Sequence, residues 1–348
     1  MAKKKKSTHS YVAVLILISV FLVAAGVKVY DDLLADNISE DADKTAILYM
    51  HSRKTLSDNL NMPENKSLLR NADALLRIIH LFGYSDMIRP GRYEFEKGTN
   101  NLKLLRALVT GAQKPIDLTF KYAERTSDVV NFWCSRLEAD SLELKALLDT
   151  ANLTSLGLGR FQNVAVFIPN TYNFYWNTSA EELLSRMKKE YIAFWDSTRI
   201  QKAVQLGLQK GEVFTLASIV QKETAKRSEM PIIAGVYYNR LAKGMLLQAD
   251  PTVLYAVNDK RIKRVGGAML SMNSPYNTYK FKGLPPGPIC IPDSRTVDAV
   301  LNLEHHDYIY FCAREDFSGY HNFASSFQQH QKNAFRFQRA LTRKGVHL

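Results

Sequence analysis

The chain has 348 residues, of which 46% are hydrophobic and 23% are charged. This length and apolar content can fill the core of one large domain or of about two to three modest ones, which excludes a disordered chain. The net charge is +12, from 46 basic and 34 acidic residues, but the basic residues beyond the N-terminus are dispersed and form no basic-aromatic nucleic-acid surface. A polyanionic envelope or a membrane surface is the simpler partner.

The N-terminus places four lysines ahead of a charge-free run from Tyr11 to Val27. The run is at the short end of what spans a bilayer, and the preceding lysines predict a cytoplasmic N-terminus. We therefore expect a cytoplasmic basic tail over 1–10, a transmembrane anchor over 11–28 and extracytoplasmic domains after it. The alternative is a cleaved signal peptide, but the run exceeds a usual apolar region of roughly 7–15 residues.

Three cysteines, Cys134, Cys290 and Cys312, allow at most one disulfide, and no CxxC pair occurs. Walker, GxGxxG and zinc-spaced Cys/His sequences are also missing from the chain. We expect neither a cofactor nor a metal.

Residues 29–62 are predicted to be a linker that turns into a first strand at "TAILYM". Residues 63–114 read as a small α+β module. Apolar residues repeat at helical spacing from Leu68 to Ile79, Pro90-Gly91 makes a turn before alternating Tyr93 and Phe95, and Gly111 ends a second helix.

Residues 115–348 are predicted to form a larger α+β domain. "PIDLTF" alternates as a strand, "TSDVVNFWCSRLEADSLELKALLD" reads as helical with Thr126 or Ser127 as N-cap, and "VAVFIP" reads as a strand. The last third holds a helix pair, loops rich in Pro, Gly, Asn and Tyr, a strand in "DYIYFCARED" and a closing helix. Such loops often line a site.

One acidic residue interrupts an apolar helix face. Glu223 follows Val220, Ile219 and Leu216 at spacings of three, four and seven, so the four side chains share one face, while Gln221 and Lys222 point away. A desolvated carboxylate has a raised pKa and can donate a proton to a leaving oxygen. The alternative is a structural role, in which Glu223 at the end of the helix pairs with Lys226 or with Arg240 on the next helix.

The next helix, in "RSEMPIIAGVYYNRLAKG", is predicted to be capped by Ser228 and ended by Gly244. The two helices would form a hairpin that holds Glu223 against Tyr237, Tyr238, Asn239 or Arg240. The loops that follow carry amide, hydroxyl and aromatic side chains of the kind that bind sugar rings, although each of them could equally be structural. They include Gln248, Asp250, Thr252, Ser274, Tyr276, Asn277, Thr278 and Tyr279.

Standard glycoside hydrolases use two carboxylates, and Asp250 is the obvious second one here. Its Asp-Pro setting is more typical of a turn. One acid/base suffices if the C6 hydroxyl of the sugar attacks the anomeric carbon, because no water then needs activation.

Several motifs occur together in order: "LASIVQKET", "VYYNRLAKGMLLQADPTVLYAV", "SPYNTYKFKGLPPGPICIP" and "HNFASSFQQHQ". With them the chain resembles the endolytic murein transglycosylase family (MltG, YceG-like). "RPGRYEFEKGTNNLKLLRALVTGAQ" is similar to the family's LysM-like module, and "VFIPNTYNFYW" to its "FPDTY" stretch. The resemblance covers nearly all of the chain beyond the predicted anchor.

The resemblance implies a single-pass inner-membrane protein that cuts nascent peptidoglycan strands internally and leaves 1,6-anhydro-N-acetylmuramic acid ends. Cell-wall synthases are candidate partners, and nucleic acid is not. Glu223 is implied as the catalytic residue. The resemblance implies that the glycan cleft is lined by Gln248, Asp250, Thr252, Tyr276, Asn277, Thr278 and the loop from Gly283 to Pro288, which includes Leu284, Pro285, Pro286 and Gly287, with His321 and Asn322 at its rim. We expect Asn239, Arg240, Ser274 and Tyr279 to bind substrate as well, from their positions on the hairpin and the loops.

The chain departs from the family pattern at three places. Gln221 stands where many members have a glutamate, which leaves Glu223 as the only acid of that turn; Asn170 replaces the usual aspartate, and "FKYAERTSDVV" replaces an "IPEG" segment. Two other functions stay open at this point: a non-catalytic glycan-binding scaffold of the elongation or division machinery, and a two-carboxylate muramidase.

Overall fold

The computed structural model describes residues 5–39, 45–150, 153–259, 261–262 and 264–345. It contains both helices and sheets, and the chain divides into two compact units. The first comprises Met1–Asp117 and Asn173–Thr178, and the second comprises Leu118–Tyr172 and Ser179–Leu348.

Helix α1, Lys5–Leu34, is longer than the anchor predicted over 11–28. Its stretch Tyr11–Leu34 has a mean hydropathy of 2.7 and is long and apolar enough to cross a membrane. Near its C-terminal end, Asp32 accepts hydrogen bonds from Lys28 and from Arg77. That end of α1 is therefore tied to the first unit.

A two-stranded antiparallel sheet lies at the centre of the first unit. Strands β1, Ala46–Met50, and β2, Gly91–Phe95, pair with Leu48 opposite Tyr93, and both strands alternate buried and half-buried side chains. Strand alternation puts one face of the pair on the core. The helices of this unit are α2 Leu56–Leu60, α3 Pro63–Leu68, α4 Ala72–Leu81 and α5 Asn101–Thr110.

The apolar repeat from Leu68 to Ile79 is not one helix. Helix α3 ends at Leu68, and Asn71 caps α4 by accepting a hydrogen bond from the backbone N–H of Ala74. An asparagine that bonds its own backbone favours a cap over a helix interior. Gly111 ends α5 with a left-handed backbone (φ 69°), which confirms that boundary.

Strands β3, Ile116–Phe120, and β4, Asn170–Phe174, form a second two-stranded sheet. The strand predicted at "PIDLTF" is thus confirmed, whereas the one at "VAVFIP" is wrong. Arg160–Val166 is a 3-10 helix and the strand begins only at Asn170. Since Ala165 to Ile168 are buried consecutively, the run shows no alternation to separate strand from helix.

Most of the second unit is helical. The segment predicted as one helix after residue 126 is two helices, and Arg125 rather than Thr126 or Ser127 is the N-cap. The elements are α6 Thr126–Cys134, α7 Ser141–Thr150, α8 Ala180–Phe194, α9 Ser197–Gln205, α10 Lys210–Glu223, α11 Met230–Ala242, α12 Asp250–Val257, α13 Gly267–Leu270, α14 Ser294–Leu301, β5 Tyr310–Ala313, β6 His321–Ala324 and α15 Phe327–Arg343. β5 and β6 form an antiparallel hairpin.

Helix α10 is the central helix of this unit. Every residue from Val213 to Val220 is buried, so the helix is enclosed on all sides and not only on the predicted stripe. Phe214 packs against Tyr191 and Trp195, with ring centroids 5.9 Å and 6.0 Å away. A helix packed on all faces is dry and well fixed. Its last residue, Glu223, is therefore held in a defined position.

Candidate active site

Glu223 lies where α10 ends and the chain turns into α11. A 3-10 turn at Arg227–Glu229 precedes α11, in place of the predicted cap at Ser228. The buried hydroxyl of Tyr237 on α11 donates a hydrogen bond to Oε1 of Glu223 over 2.6 Å. The hairpin therefore brings one glutamate and one tyrosine together, as expected from the sequence for one of four candidate residues on α11.

Burial raises the pKa of Glu223 from 4.5 to about 7. The hydrogen bond from Tyr237 favours the carboxylate and opposes this rise, while the negative charge of Asp250 adds to it. Glu223 is half-buried, so it is desolvated yet still reachable from solvent. A carboxyl group with a pKa near 7 can both give up and take back a proton at neutral pH.

Tyr237 stays a hydrogen-bond donor throughout this range. Burial, together with the neighbouring negative charge of Glu223, holds the pKa of Tyr237 well above its usual value of 10. Its phenol is thus neutral whichever form Glu223 takes. The tyrosine orients the carboxyl group without competing for the exchangeable proton.

The helix-end salt bridge that would make Glu223 merely structural is not formed among the described residues. The Arg240 guanidinium is buried and donates instead to the backbone carbonyls of Ile309 and Leu247, both over 2.7 Å. The Lys226 ammonium lies 4.6 Å from the ring centroid of Tyr320. Arg240 contributes only a distant positive charge that lowers the pKa of Glu223.

A second carboxylate and tyrosine stand beside this pair. Asp250, the exposed first residue of α12, accepts a hydrogen bond from the Tyr279 hydroxyl over 2.5 Å. Burial raises the pKa of Tyr279, and Asp250 and then Glu223 raise it further, so the two pairs lie within electrostatic reach of each other. The site holds one half-buried proton donor and one exposed negative charge.

Gln221 faces away from this site, as its helical phase predicts. Its amide oxygen accepts hydrogen bonds from the backbone N–H of Asp293 (2.6 Å) and from the Thr296 hydroxyl (3.2 Å). These contacts fix the start of α14 against α10. Gln221 therefore has a packing role on the opposite side of the helix from Glu223.

The β5–β6 hairpin supports Tyr237 from behind. The Phe311 ring meets Tyr237 edge-on at 5.9 Å and His321 edge-on at 5.3 Å. His321 in turn donates its backbone N–H to Oε1 of Glu229 and places Nδ1 2.8 Å from Oε2. Edge-to-face contacts of this kind restrict ring orientation.

The sequence indicates one of these partners and misses another. Tyr237 is one of the four residues that the sequence places against Glu223, and its hydrogen bond selects it among them. Glu229 precedes α11, and nothing in the sequence distinguishes it from other acidic residues. Its pairing with His321 spans 92 positions of the chain, and no local signal indicates it.

Several of the predicted glycan-binding residues are buried and hold loops together. Thr252 and Thr278 join their hydroxyls over 2.9 Å, and Asn277 donates to the carbonyls of Leu270 and Met272. Asn239 donates to two carbonyls before β5, and Asn322 donates to Glu315. Thr252, Asn277 and Thr278 are buried, Asn239 and Asn322 are half-buried, and all five make hydrogen bonds within the protein.

Other predicted residues on the same loops are exposed or half-buried. Gln248 is exposed in a left-handed conformation (φ 50°), and its N–H donates to the carbonyl of Thr278. The Ser274 hydroxyl accepts a hydrogen bond from the N–H of Tyr276, whose ring is tilted against that of Tyr255 with centroids 4.8 Å apart.

The loop from Gly283 to Gly287, which includes Leu284, Pro285 and Pro286, is half-buried to buried. A Cβ at Gly287 would stand 2.1 Å from the backbone oxygen of Phe161. Glycine is therefore required there.

Among the described residues, no group of three or more His, Cys, Asp or Glu side chains is arranged to hold a metal ion. The chemistry of the site described above rests on Glu223, Tyr237, Asp250 and Tyr279.

Comparison with known proteins matches residues 48–336 to the YceG-like family. A relative from Bacillus subtilis (strain 168), described as an endolytic murein transglycosylase, is 26% identical over 329 residues, which cover 89% of this chain and 90% of the relative. A relative of the same description from Streptococcus pneumoniae (strain D39) is 28% identical over 285 residues, 72% of this chain and 50% of the relative.

A solved YceG-like protein from Listeria monocytogenes aligns with a TM-score of 0.56 at 24% identity, covering 84% of this chain and 99% of that one, which is a likeness of fold. The family match spans most of the chain and includes both the Glu223 hairpin and the loops around it. The chain belongs to the YceG-like family.

Proposed function

We propose that the protein is a peptidoglycan lytic transglycosylase that cleaves the β-1,4 bond between N-acetylmuramic acid and N-acetylglucosamine inside glycan strands. Two relatives described as endolytic murein transglycosylases support this, one of them aligned over 90% of its length. The observation that carries the proposal is Glu223, whose pKa of about 7 suits a group that acts first as acid and then as base.

In the first step, protonated Glu223 donates its proton to the bridging oxygen as the bond between that oxygen and C1 of the muramic acid breaks. In the second, the Glu223 carboxylate takes the proton of the C6 hydroxyl while O6 forms a bond to C1. The products are a free 4-hydroxyl on one strand and a 1,6-anhydro ring on the other. No water is consumed, and Glu223 regains its proton.

Asp250 has a supporting role in this reaction. Positive charge develops at C1 as the bond breaks, and the exposed Asp250 carboxylate supplies a negative charge beside the site. Tyr279 fixes it through the 2.5 Å hydrogen bond. If Asp250 instead activated water, the enzyme would be a muramidase and its product would carry a reducing end.

The test is product analysis of full-length protein in detergent with isolated glycan strands. Wild type should release shorter strands with anhydro ends, lighter by one water than hydrolytic products, and Glu223→Gln should lower the rate by about 10²–10⁴-fold. Glu181→Gln, on the exposed first turn of α8, is the matched control and should cleave normally. Reducing ends would indicate the muramidase, and uncut strands from wild type would indicate the non-catalytic scaffold.

We also propose a membrane topology for the protein. The apolar stretch Tyr11–Leu34 would act as a single-pass inner-membrane anchor with its N-terminus in the cytoplasm, and the remainder would face the cell wall. The module over 63–114 would be LysM-like and would orient glycan for the domain over 115–348. Accessibility of an engineered cysteine after residue 34 to an impermeant reagent tests this topology, because a cytoplasmic location would leave that cysteine unlabelled.

The loop residues Gln248, Ser274, Tyr276 and Tyr279 would then contact sugar directly. Buried Thr252, Asn277 and Thr278 would set the shape of the cleft, as would the loop over 283–287. Cell-wall synthases are the proposed protein partners, since an enzyme that shortens nascent strands acts where strands are made.

A further inference from the structure

A cavity of about 530 Å³ opens beside the proposed reaction site. Lys222 and Pro251 both line it, and each adjoins a carboxylate residue of the site, Glu223 and Asp250 respectively. The Lys222 side chain lies on another face of α10 than Glu223, so the cavity adjoins the carboxylate residues at the end of α10 and the start of α12 without being lined by either of them. Its volume falls in the range of roughly 300–1,000 Å³ typical of sites for small ligands.

Part of the cavity wall comes from the segment in which this chain departs from the family pattern. Tyr122, Glu124 and Arg125 belong to the "FKYAER" stretch between β3 and α6, and all three line the cavity. The Arg125 guanidinium lies over the ring of Tyr255 at 4.3 Å from its centroid and donates to the backbone carbonyl of the same residue over 2.6 Å. Arg125 is thus held at the wall by two contacts.

The wall carries charges of both signs. The Lys222 ammonium lies 2.5 Å from Oε1 of Glu124, and about a third of each side chain is exposed, 33% and 29%. Tyr122 donates its hydroxyl to the same oxygen of Glu124 over 2.6 Å. The cavity therefore presents cations and anions that are already ordered.

An uncharged sugar could form hydrogen bonds with this wall, but it has no charged group that would pair with the ammonium, guanidinium and carboxylate groups. In a peptidoglycan strand, the carboxyl group of each muramic acid is joined by an amide bond to a short stem peptide, and the free charges lie on that peptide. The stem carries carboxylates and, at its diamino residue, an amine. Lysine and arginine suit the carboxylates, and the acidic wall residues suit the amine.

We propose that this cavity binds the stem peptide of the muramic acid at the cleavage point. The inference rests on the proposed function and deepens it: the preferred substrate would be peptide-bearing glycan rather than stripped glycan. The attachment fits the location, because the peptide is joined to the sugar whose C1 is attacked, and Tyr255 of the cavity wall contacts Tyr276 of the loops proposed to bind sugar, with ring centroids 4.8 Å apart.

The test compares full-length protein on two substrates, glycan strands with stem peptides and the same strands stripped by an amidase. Wild type should show a kcat/KM at least about tenfold higher on the peptide-bearing strands. Lys222→Gln and Arg125→Gln should each reduce that ratio by about tenfold, and Lys189→Gln on the exposed face of α8 should retain it. A wild-type ratio near one, or pocket variants that keep the full ratio, would overturn the proposal.

A binding measurement separates this inference from the proposed function. The free stem peptide is titrated into wild type and into both pocket variants, with Lys189→Gln as control. Binding to wild type that is lost in the pocket variants supports the cavity, even if neither polymer is cleaved and the transglycosylase proposal fails. An absence of peptide binding to wild type overturns the cavity proposal while leaving cleavage of glycan to be judged separately.

Discussion

The two glutamates that flank the turn between α10 and α11 are used in opposite ways. Glu229 is 3% exposed and both of its oxygens face His321, one on the backbone N–H and one on the ring. Glu223 is half-buried, and Tyr237 bonds to one of its oxygens. A carboxylate saturated by donors is a structural anchor, whereas one that is desolvated but reachable can exchange a proton.

The largest expected effect is on stability at the anchoring glutamate. Glu229→Ala should lower the free energy of unfolding by about 2–4 kcal/mol, because the half-buried backbone N–H and ring of His321 lose the carboxylate that both contact. Glu181→Ala, on an exposed helix turn, should change it by less than about 0.5 kcal/mol. Denaturant unfolding of both variants checks this, and equal midpoints would mean that the Glu229–His321 pair does not hold the hairpin to α11.

Glu223→Gln should instead raise the free energy of unfolding. The folded state raises the pKa of Glu223 from 4.5 to about 7, so folding takes up a proton, and the ionised form is disfavoured in the fold. The cost is absent below pH 4.5, grows between pH 4.5 and 7 and is complete above pH 7. The neutral glutamine avoids it and should stabilise the protein by about 1–3 kcal/mol at pH 8.

Thermal unfolding of wild type and Glu223→Gln across pH 4 to 8 measures this difference. The gap between their midpoints should widen as pH rises from 4.5 to 7 and level off above it, while Glu181→Gln should follow wild type at every pH. A constant gap would mean that the pKa of Glu223 is not raised in the fold. The acid/base assignment would then lose its main support, although the comparison with Glu229 would stand.

The sequence predicts the position of Glu223 better than it predicts the pairing of Glu229 with His321. Glu223 stands out because its own helix supplies the apolar residues at three, four and seven positions before it, and a helix imposes that geometry locally. The choice of Tyr237 among four neighbours depends on how α11 is rotated against α10, which is set by packing. The Glu229–His321 pair depends on a hairpin that arrives 92 residues later, so only the folded chain defines it.

The secondary structure of short apolar runs is also difficult to predict from the sequence. "VAVFI" has the composition of a buried strand, yet its first three residues end a 3-10 helix at Val166. Ala165 to Ile168 are buried consecutively, so the run has no alternation that would distinguish a strand from a helix. Helix α10 is also buried over consecutive residues, so its buried surface is wider than the apolar stripe predicted from the sequence. Strand β3 alternates and the closing helix α15 has a helical repeat, and the structure confirms both; it also confirms β5, which lies in an apolar run without alternation.

The smallest expected effect is at Gln221, which shares the last turn of α10 with Glu223. Gln221→Glu keeps an oxygen where the Asp293 N–H and the Thr296 hydroxyl donate, so stability should change by less than about 0.5 kcal/mol, and the products should still be anhydro-ended. Gln221→Ala removes both bonds and should cost about 1–2 kcal/mol. Because position 221 lies about 200° around the helix from 223, an added acid there cannot reach the bond being cleaved. Reducing ends from Gln221→Glu would show that the two residues share a site, and the separation of packing and proton-transfer faces on α10 would be refuted.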